Sequence, residues 1–246
     1  LFSPETRYGK VMNLEEFKEQ YTKEQLKITE NFYPIFSFID FGNVDKWFEK
    51  DRQDSDRKIV PEDKHLAINL KELKRFADVF SKETRFYYGH FNDEPGSLGF
   101  IRVARYIFDR SRVRTKPIQK IKHHLSENEV SSNTRDVYED KEGNFIYIPK
   151  CNFDVEISVD SIRLASHYKT LCLFSGDADF VYLAQFLKNQ GKKIILIKGG
   201  HITHQLKDVA DLIINAQDIK KDITMIKQKP GIKPGFADSK LESTSR

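Results

Sequence analysis

Four short apolar runs, each handing over to a stretch with a helical repeat, constrain the fold of this chain more than any other feature. They are Tyr-Pro-Ile-Phe-Ser-Phe-Ile-Asp at 33–40, Arg-Phe-Tyr-Tyr-Gly-His-Phe at 85–91, Leu-Cys-Leu-Phe-Ser at 171–175 and Lys-Lys-Ile-Ile-Leu-Ile-Lys-Gly-Gly at 192–200. A strand buried on both faces reads as continuous hydrophobicity, and strands that alternate with helices build a parallel sheet covered on both sides. The helical spacing lies at Leu70, Leu73, Phe76, Ala77 and Phe80, again over 100–108, from Asp154, over 179–189, and in a short helix over Gln-Leu-Lys-Asp-Val-Ala-Asp-Leu-Ile-Ile. One further strand is predicted near Val113 to Ile121, while the polar stretch 49–64 reads as a long exposed loop.

Length and punctuation set the domain plan. At 246 residues the chain is expected to form one main domain. The plan is an N-terminal extension over 1–32 with a peripheral helix, a main domain over 33–226, and a flexible basic tail over 227–246. In the extension, Leu14, Phe17 and Tyr21 share a helical face behind an Asn13 cap. Alternating segments around the Gly-Asn of 143–144 mark a hairpin insertion at about 125–149. Residue 1 is not Met and Met12 follows, so residues 1–11 are set aside from fold reasoning.

Composition excludes several classes. No apolar run approaches the ~20 residues a bilayer span needs, and the first residues lack a secretory pattern, so a soluble, cytoplasmic protein with no membrane partner is expected. Cys151 and Cys172 are the only cysteines, which suggests neither a disulfide framework nor a thiolate zinc site. His201 and His204 have His-x-x-His spacing without a cysteine or an evident third ligand, a weak zinc signal. A net charge of +4 identifies no partner by itself, but Arg110 to His124 holds six Lys or Arg and no acid, a stripe able to contact phosphates.

Carboxylates gather where strands and loops give way to helices: Asp40, Asp154, Asp177 and Asp179. Each taken singly reads as an N-cap. In an open parallel sheet, however, strand ends that precede helices share one edge, and ligands bind where the strand order reverses. If the first strand and the strand over 171–175 are neighbours at that reversal, Asp40 meets Asp177, and Asp154 and Asp179 approach from helix starts. Crowded carboxylates repel unless protons or a cation neutralise them, and an oxygen-only set suits Mg²⁺ or Mn²⁺. Such a site acts on phosphates by acidifying and positioning a water.

Three ordered segments carry a resemblance: Phe-Ile-Asp-Phe-Gly-Asn (38–43), Lys-Cys-Asn-Phe-Asp-Val (150–155) and Ser-Gly-Asp-Ala-Asp-Phe (175–180). Over roughly 33–215 the chain resembles the NYN domain, a branch of the PIN-like metal-dependent ribonucleases. The resemblance implies a three-layer α/β/α sandwich with a mainly parallel sheet of five to six strands. It also implies a metal-dependent, endonucleolytic ribonuclease whose Asp40, Asp154, Asp177 and Asp179 are both catalytic and metal-binding, with Mg²⁺ or Mn²⁺ as cofactor and single-stranded or structured RNA as substrate. The family usually has Gly after the Lys of the second segment, where this chain has Cys151-Asn152. Asp160 fits the family pattern too, but lies about 240° around the helix from Asp154 and is read as a support.

Asn43 and Ser175 flank the acids and are candidates to position water or phosphate. Arg102, Arg105, Lys120 and Lys122 are candidates to track an RNA backbone, and Tyr87, Tyr88 or Phe91 to stack on a base. Homo-oligomeric assembly is left open by the sequence. Two competing functions are a haloacid-dehalogenase-like phosphatase, with Asp177 as nucleophile in Asp-Ala-Asp-Phe-Val, and a non-catalytic RNA-binding scaffold on the same fold.

Overall fold

The computed structural model describes residues 13–126 and 137–229. The expected tail over 227–246 lies outside the described residues from Pro230 onward, as does part of the hairpin insertion. In chain order the elements are α1 (Leu14–Gln25), β1 (Ile35–Asp40), α2 (Phe41–Val44), β2 (Lys64–Ile68), α3 (Leu70–Asp78), β3 (Glu83–His90), α4 (Pro95–Phe108), β4 (Val113–Pro117) and β5 (Gln119–His124). They continue with β6 (Tyr138–Asp140), β7 (Gly143–Lys150), α5 (Asp154–Arg163), β8 (Thr170–Phe174), α6 (Val181–Asn189), β9 (Lys193–Lys198), α7 (His204–Val209), β10 (Leu212–Asn215), α8 (Lys220–Ile223) and β11 (Thr224–Gln228).

Six strands form one parallel sheet in the order β10-β9-β8-β1-β3-β4. From β1 the chain builds outward through β3 and β4, then returns to the other side of β1 with β8, β9 and β10. The order therefore reverses between β1 and β8. Strand parity divides the core: Ile35 and Ile39 of β1, Cys172 and Phe174 of β8, and Ile195 and Ile197 of β9 pack into one apolar layer with α3 and α4. Phe36 and Phe38, Leu171 and Leu173, and Ile194 and Leu196 pack into the opposite layer with α5 and α6. Both faces are thus buried, which explains the unbroken apolar runs; each such side chain stabilises the fold by about 1.5–3 kcal/mol. The result is the expected three-layer α/β/α arrangement.

Local signals fix the helix starts. Asn13 and Glu16 form a reciprocal capping box at α1, and the Asn69 side chain accepts from the backbone N–H groups of Lys71 and Glu72 at the start of α3. The expected apolar face of α1 is not covered: Leu14, Phe17 and Tyr21 are all exposed.

Four element assignments differ from the sequence reading. The strand expected from Val113 to Ile121 is two strands in two sheets, because the chain turns at Pro117-Ile118, where Pro117 has no N–H and Ile118 N–H donates to the His90 carbonyl at 2.7 Å. β5 then pairs antiparallel with β7, and β7 with β6, giving a three-stranded arm that leaves the main sheet. The helix expected to run through Leu-Ile-Ile ends at Val209, and Leu212–Asn215 pairs with β9 instead. The polar 49–64 region gives way to β2, which pairs antiparallel with β11 in a small second sheet. Finally, α4 begins at Pro95, five residues before the expected start at Phe100, since proline is well tolerated in a first helical turn.

Candidate active site

Asp40 ends β1 with the parity of Phe36 and Phe38, which aims it toward the layer where α5 packs. β8, its partner across the reversal, ends at Phe174 and is followed by Ser175, which is fully buried. The Ser175 hydroxyl donates to Asp40 Oδ2 at 3.2 Å and accepts from the Asp177 backbone N–H at 3.2 Å. One hydroxyl therefore joins the two strand ends and holds both acids in place. Asp177 Oδ1 accepts from the Asp179 N–H at 3.1 Å, which caps the short turn that opens α6. Asp154 is the first residue of α5 and arrives from the side of β4 and the arm.

A cleft of about 810 Å³ opens at these strand ends. Asp40, Asp154 and Asp177 line it, with Asn43, Trp47 and Tyr88 on one wall and Phe91, Ile118 and Pro149 on another. Burial pushes the Asp40 carboxyl up to about 6; the Ser175 hydrogen bond opposes that, and the Asp154 and Asp177 charges add to it. Asp154 is raised by burial and then by the charges of Asp177 and Asp179. Asp40 thus feels Asp154 and Asp177, and Asp154 feels Asp177 and Asp179. Among the described residues none of the four is in an ion pair with Lys, Arg or His.

The donor set is all oxygen, and Lys116 offsets only part of the repulsion at Asp154, which is the chemistry a hard divalent cation answers. Among the described residues, no three His, Cys, Asp or Glu side chains already converge as a finished metal cage. A small hard cation keeps several of its waters and needs only one or two carboxylates, which an open acidic rim of this kind supplies.

The other candidates divide. Asn43 lines the cleft, and its Oδ1 accepts from the Trp47 indole N–H at 2.9 Å, which leaves its amide hydrogens to face the cleft contents. Asp179 is exposed and does not line the cleft. Arg102 is exposed, and Arg105 donates to the Thr115 hydroxyl at 3.2 Å; neither borders the cleft. Lys120 and Lys122 stand on the arm, paired with Asp93 and Asp140. Tyr87 is buried and its hydroxyl donates to Asp160 at 2.9 Å. Asp160 in turn holds Arg114, Arg85 and Arg163, at 3.4, 3.5 and 2.7 Å, so it anchors α5 to β3 and β4 beneath the cleft. His204 pairs with Asp208 rather than with His201.

Several contributors had no clear sequence signal. Trp47 lies flat against Phe174, with ring centroids 6.4 Å apart, and closes over Gly199, where any Cβ would come within 2.5 Å of the indole. Gly89 likewise leaves room for Cys151, whose Sγ would be 2.6 Å from an added Cβ. Lys116 lies over the Phe153 ring at 4.7 Å and pairs with Glu156 at 2.5 Å beside Asp154. Its signal was legible in principle, because β4 ends on the same edge as β1 and β8.

A parallel three-layer sheet with an acidic cleft at its order reversal defines an α/β protein with a ligand site at the carboxyl ends of its strands. The chain belongs to the NYN domain family, whose pattern matches residues 64–217. Asp154, Asp177 and Asp179 fall inside the match, and Asp40 precedes it. Over 90 residues the chain is 29% identical to the low amplitude and bright protein LabA of Synechococcus elongatus, covering 36% of this chain and 48% of that protein. The chain thus spans about half the length of that curated relative. A Vibrio parahaemolyticus protein of unknown function, VPA0982, shares 18% identity, with a TM-score of 0.49, over 80% of this chain and 99% of its own. Among the described residues no helix is long and apolar enough to cross a membrane.

Proposed function

We propose that this chain is a metal-dependent ribonuclease that hydrolyses RNA phosphodiester bonds in the cleft between β1 and β8. The observation that carries this reading is the unpaired acidic rim: Asp40, Asp154 and Asp177 share one cleft, and Asp40 is pushed up to about 6 in their company. One or two of Asp40, Asp154 and Asp177 would hold Mg²⁺ or Mn²⁺ with the ion keeping part of its water shell, and Asp179 adds negative charge beside Asp154. When bound, such a cation supplies an acidified water and offsets charge on the phosphate oxygens. Ser175 orients Asp40 by its hydrogen bond, and the Asn43 amide is placed to donate to a phosphate or to the attacking water. Lys116, whose charge acts on Asp154, is the cation available to pair with a phosphate oxygen once Glu156 releases it.

An aspartyl-phosphate mechanism is the weaker reading. Asp177 Oδ1 is engaged by its own turn, and that mechanism gives Asp40 and Asp154 no task.

The test is cleavage of a labelled RNA by the purified protein with Mn²⁺ or Mg²⁺. EDTA and Asp177→Asn are each expected to stop it; Asn retains the cap acceptor, so the fold persists while the ligand charge is lost. RNA bound without metal-dependent cleavage would instead favour a scaffold, and release of phosphate from a small monoester with a trapped Asp177 would favour the phosphatase.

A further inference from the structure

The antiparallel arm has two faces, and the register separates them. Lys120 stands opposite Pro149, Lys122 opposite Tyr147 and His124 opposite Phe145, while Tyr138 stands opposite Phe145 from the other side. Opposed residues share a face, so these seven side chains form one surface. Phe145 is its buried floor, and Tyr138 and Tyr147, 45% and 41% exposed, flank it with their rings 5.5 Å apart. Lys122 Nζ lies 4.1 Å from the Phe145 ring centroid, and Lys120 Nζ lies 5.5 Å from that of Phe91.

This surface leads into the acidic cleft. Pro149, at its near end, lines the cleft together with Phe91 and Ile118. From Pro149 to Tyr147 the strand advances about 7 Å, roughly the reach of one nucleotide in an extended chain. Each step places an aromatic or proline face on one strand opposite a basic group on the other. That pairing of flat rings with cations is how proteins hold unpaired bases and their phosphates; a duplex keeps its bases stacked inside and cannot offer them to a tyrosine. The ion pairs to Asp93 and Asp140 do not remove the lysines from this role, since exposed pairs are worth about 0–1 kcal/mol and exchange readily for phosphate.

We infer that this face of the arm is a binding track for single-stranded RNA, with Tyr147 and Tyr138 as base platforms and Lys120 and Lys122 as phosphate contacts, feeding the strand into the cleft. The inference rests on the nuclease reading for its direction but not for its binding chemistry.

The experiment uses the full chain carrying Asp177→Asn and a fluorescent single-stranded RNA without divalent ions, with a duplex of equal length for comparison. Tyr138→Ala with Tyr147→Ala is expected to weaken single-strand binding about tenfold or more while the dependence on salt stays the same. The Tyr→Phe pair is expected to bind normally, which separates lost stacking from a damaged arm. Lys120→Ala with Lys122→Ala is expected to lower the slope of log affinity against log salt by about 1 to 1.5. In the chain with native Asp177, hydrolysis of a small phosphodiester with Mn²⁺ is expected to be unchanged by either pair. Unaltered RNA binding in the tyrosine-to-alanine pair, or duplex binding as tight as single-strand binding, overturns the track. Absence of Mn²⁺-dependent RNA cleavage by the chain with native Asp177, with single-strand binding to the track intact, overturns the nuclease reading alone.

Discussion

Asp40 carries a carboxyl that the fold holds against its own preference for water. Its ordinary value of 3.8 is raised to about 6 by burial and by its acidic neighbours. A carboxyl raised in the folded state contributes stability that is complete below about pH 4 and is lost as pH rises through 6. At 1.36 kcal/mol per unit the loss is on the order of 2–3 kcal/mol. Asp40→Asn is therefore expected to raise the melting temperature in EDTA at pH 7 by several degrees, to make little difference at pH 4, and to abolish cleavage. Calorimetry at the two pH values checks this; a variant less stable than the parent at pH 7 overturns it. Asp160 is the opposite case: it is buried and fully partnered by Tyr87 and three arginines. Asp160→Ala leaves Arg85 with a charge and little water, and is expected to cost about 3–5 kcal/mol in denaturant unfolding. At this scale the shared rim of Asp40, Asp154 and Asp177 was legible in the sequence, because each sits at a strand or loop end before a helix; Asp179 has the same pattern and lies outside the cleft. Trp47 over Gly199 was not, since a contact spanning so much of the chain leaves no local periodicity to read.

At the scale of the element, the parallel strands were legible because both their faces are buried and the apolar runs are unbroken. β2 was not. Its Lys64, His65 and Ala67 are only half-buried, and it is a strand because β11 pairs with it. Leu212–Asn215 shows the same limit, for the preceding residues keep a helical repeat and only the free edge of β9 decides that the chain extends. The arm was legible as a hairpin from its alternation around 143–144, but its third strand was absorbed into the expected continuation of β4. The junction where the arm rejoins α5 depends on Gly89. Gly89→Ala would drive a methyl into Cys151 and is expected to destabilise by about 1–3 kcal/mol, with Cys151→Gly recovering most of the loss in the double variant. Thermal unfolding of the four chains gives the coupling directly.

For the whole molecule, the proposed cation site would couple stability to ion binding. If the rim holds Mn²⁺, a concentration a hundredfold above the dissociation constant is expected to stabilise the protein by about 2.7 kcal/mol. The gain should vanish in Asp40→Asn and Asp177→Asn, and should shrink as the pH falls below about 6, where protons compete for Asp40. Differential scanning fluorimetry across a metal titration reads all three.

The family pattern begins at residue 64, yet β1 lies before it, flanked by β8 on one side and β3 on the other. The two halves of the sheet are hydrogen-bonded to each other only through these six residues among the described strands. A fragment excised to the matched range would consequently be missing its seam: two raw inner edges facing each other across a slot one strand wide, with the acidic cleft deprived of its most buried carboxyl.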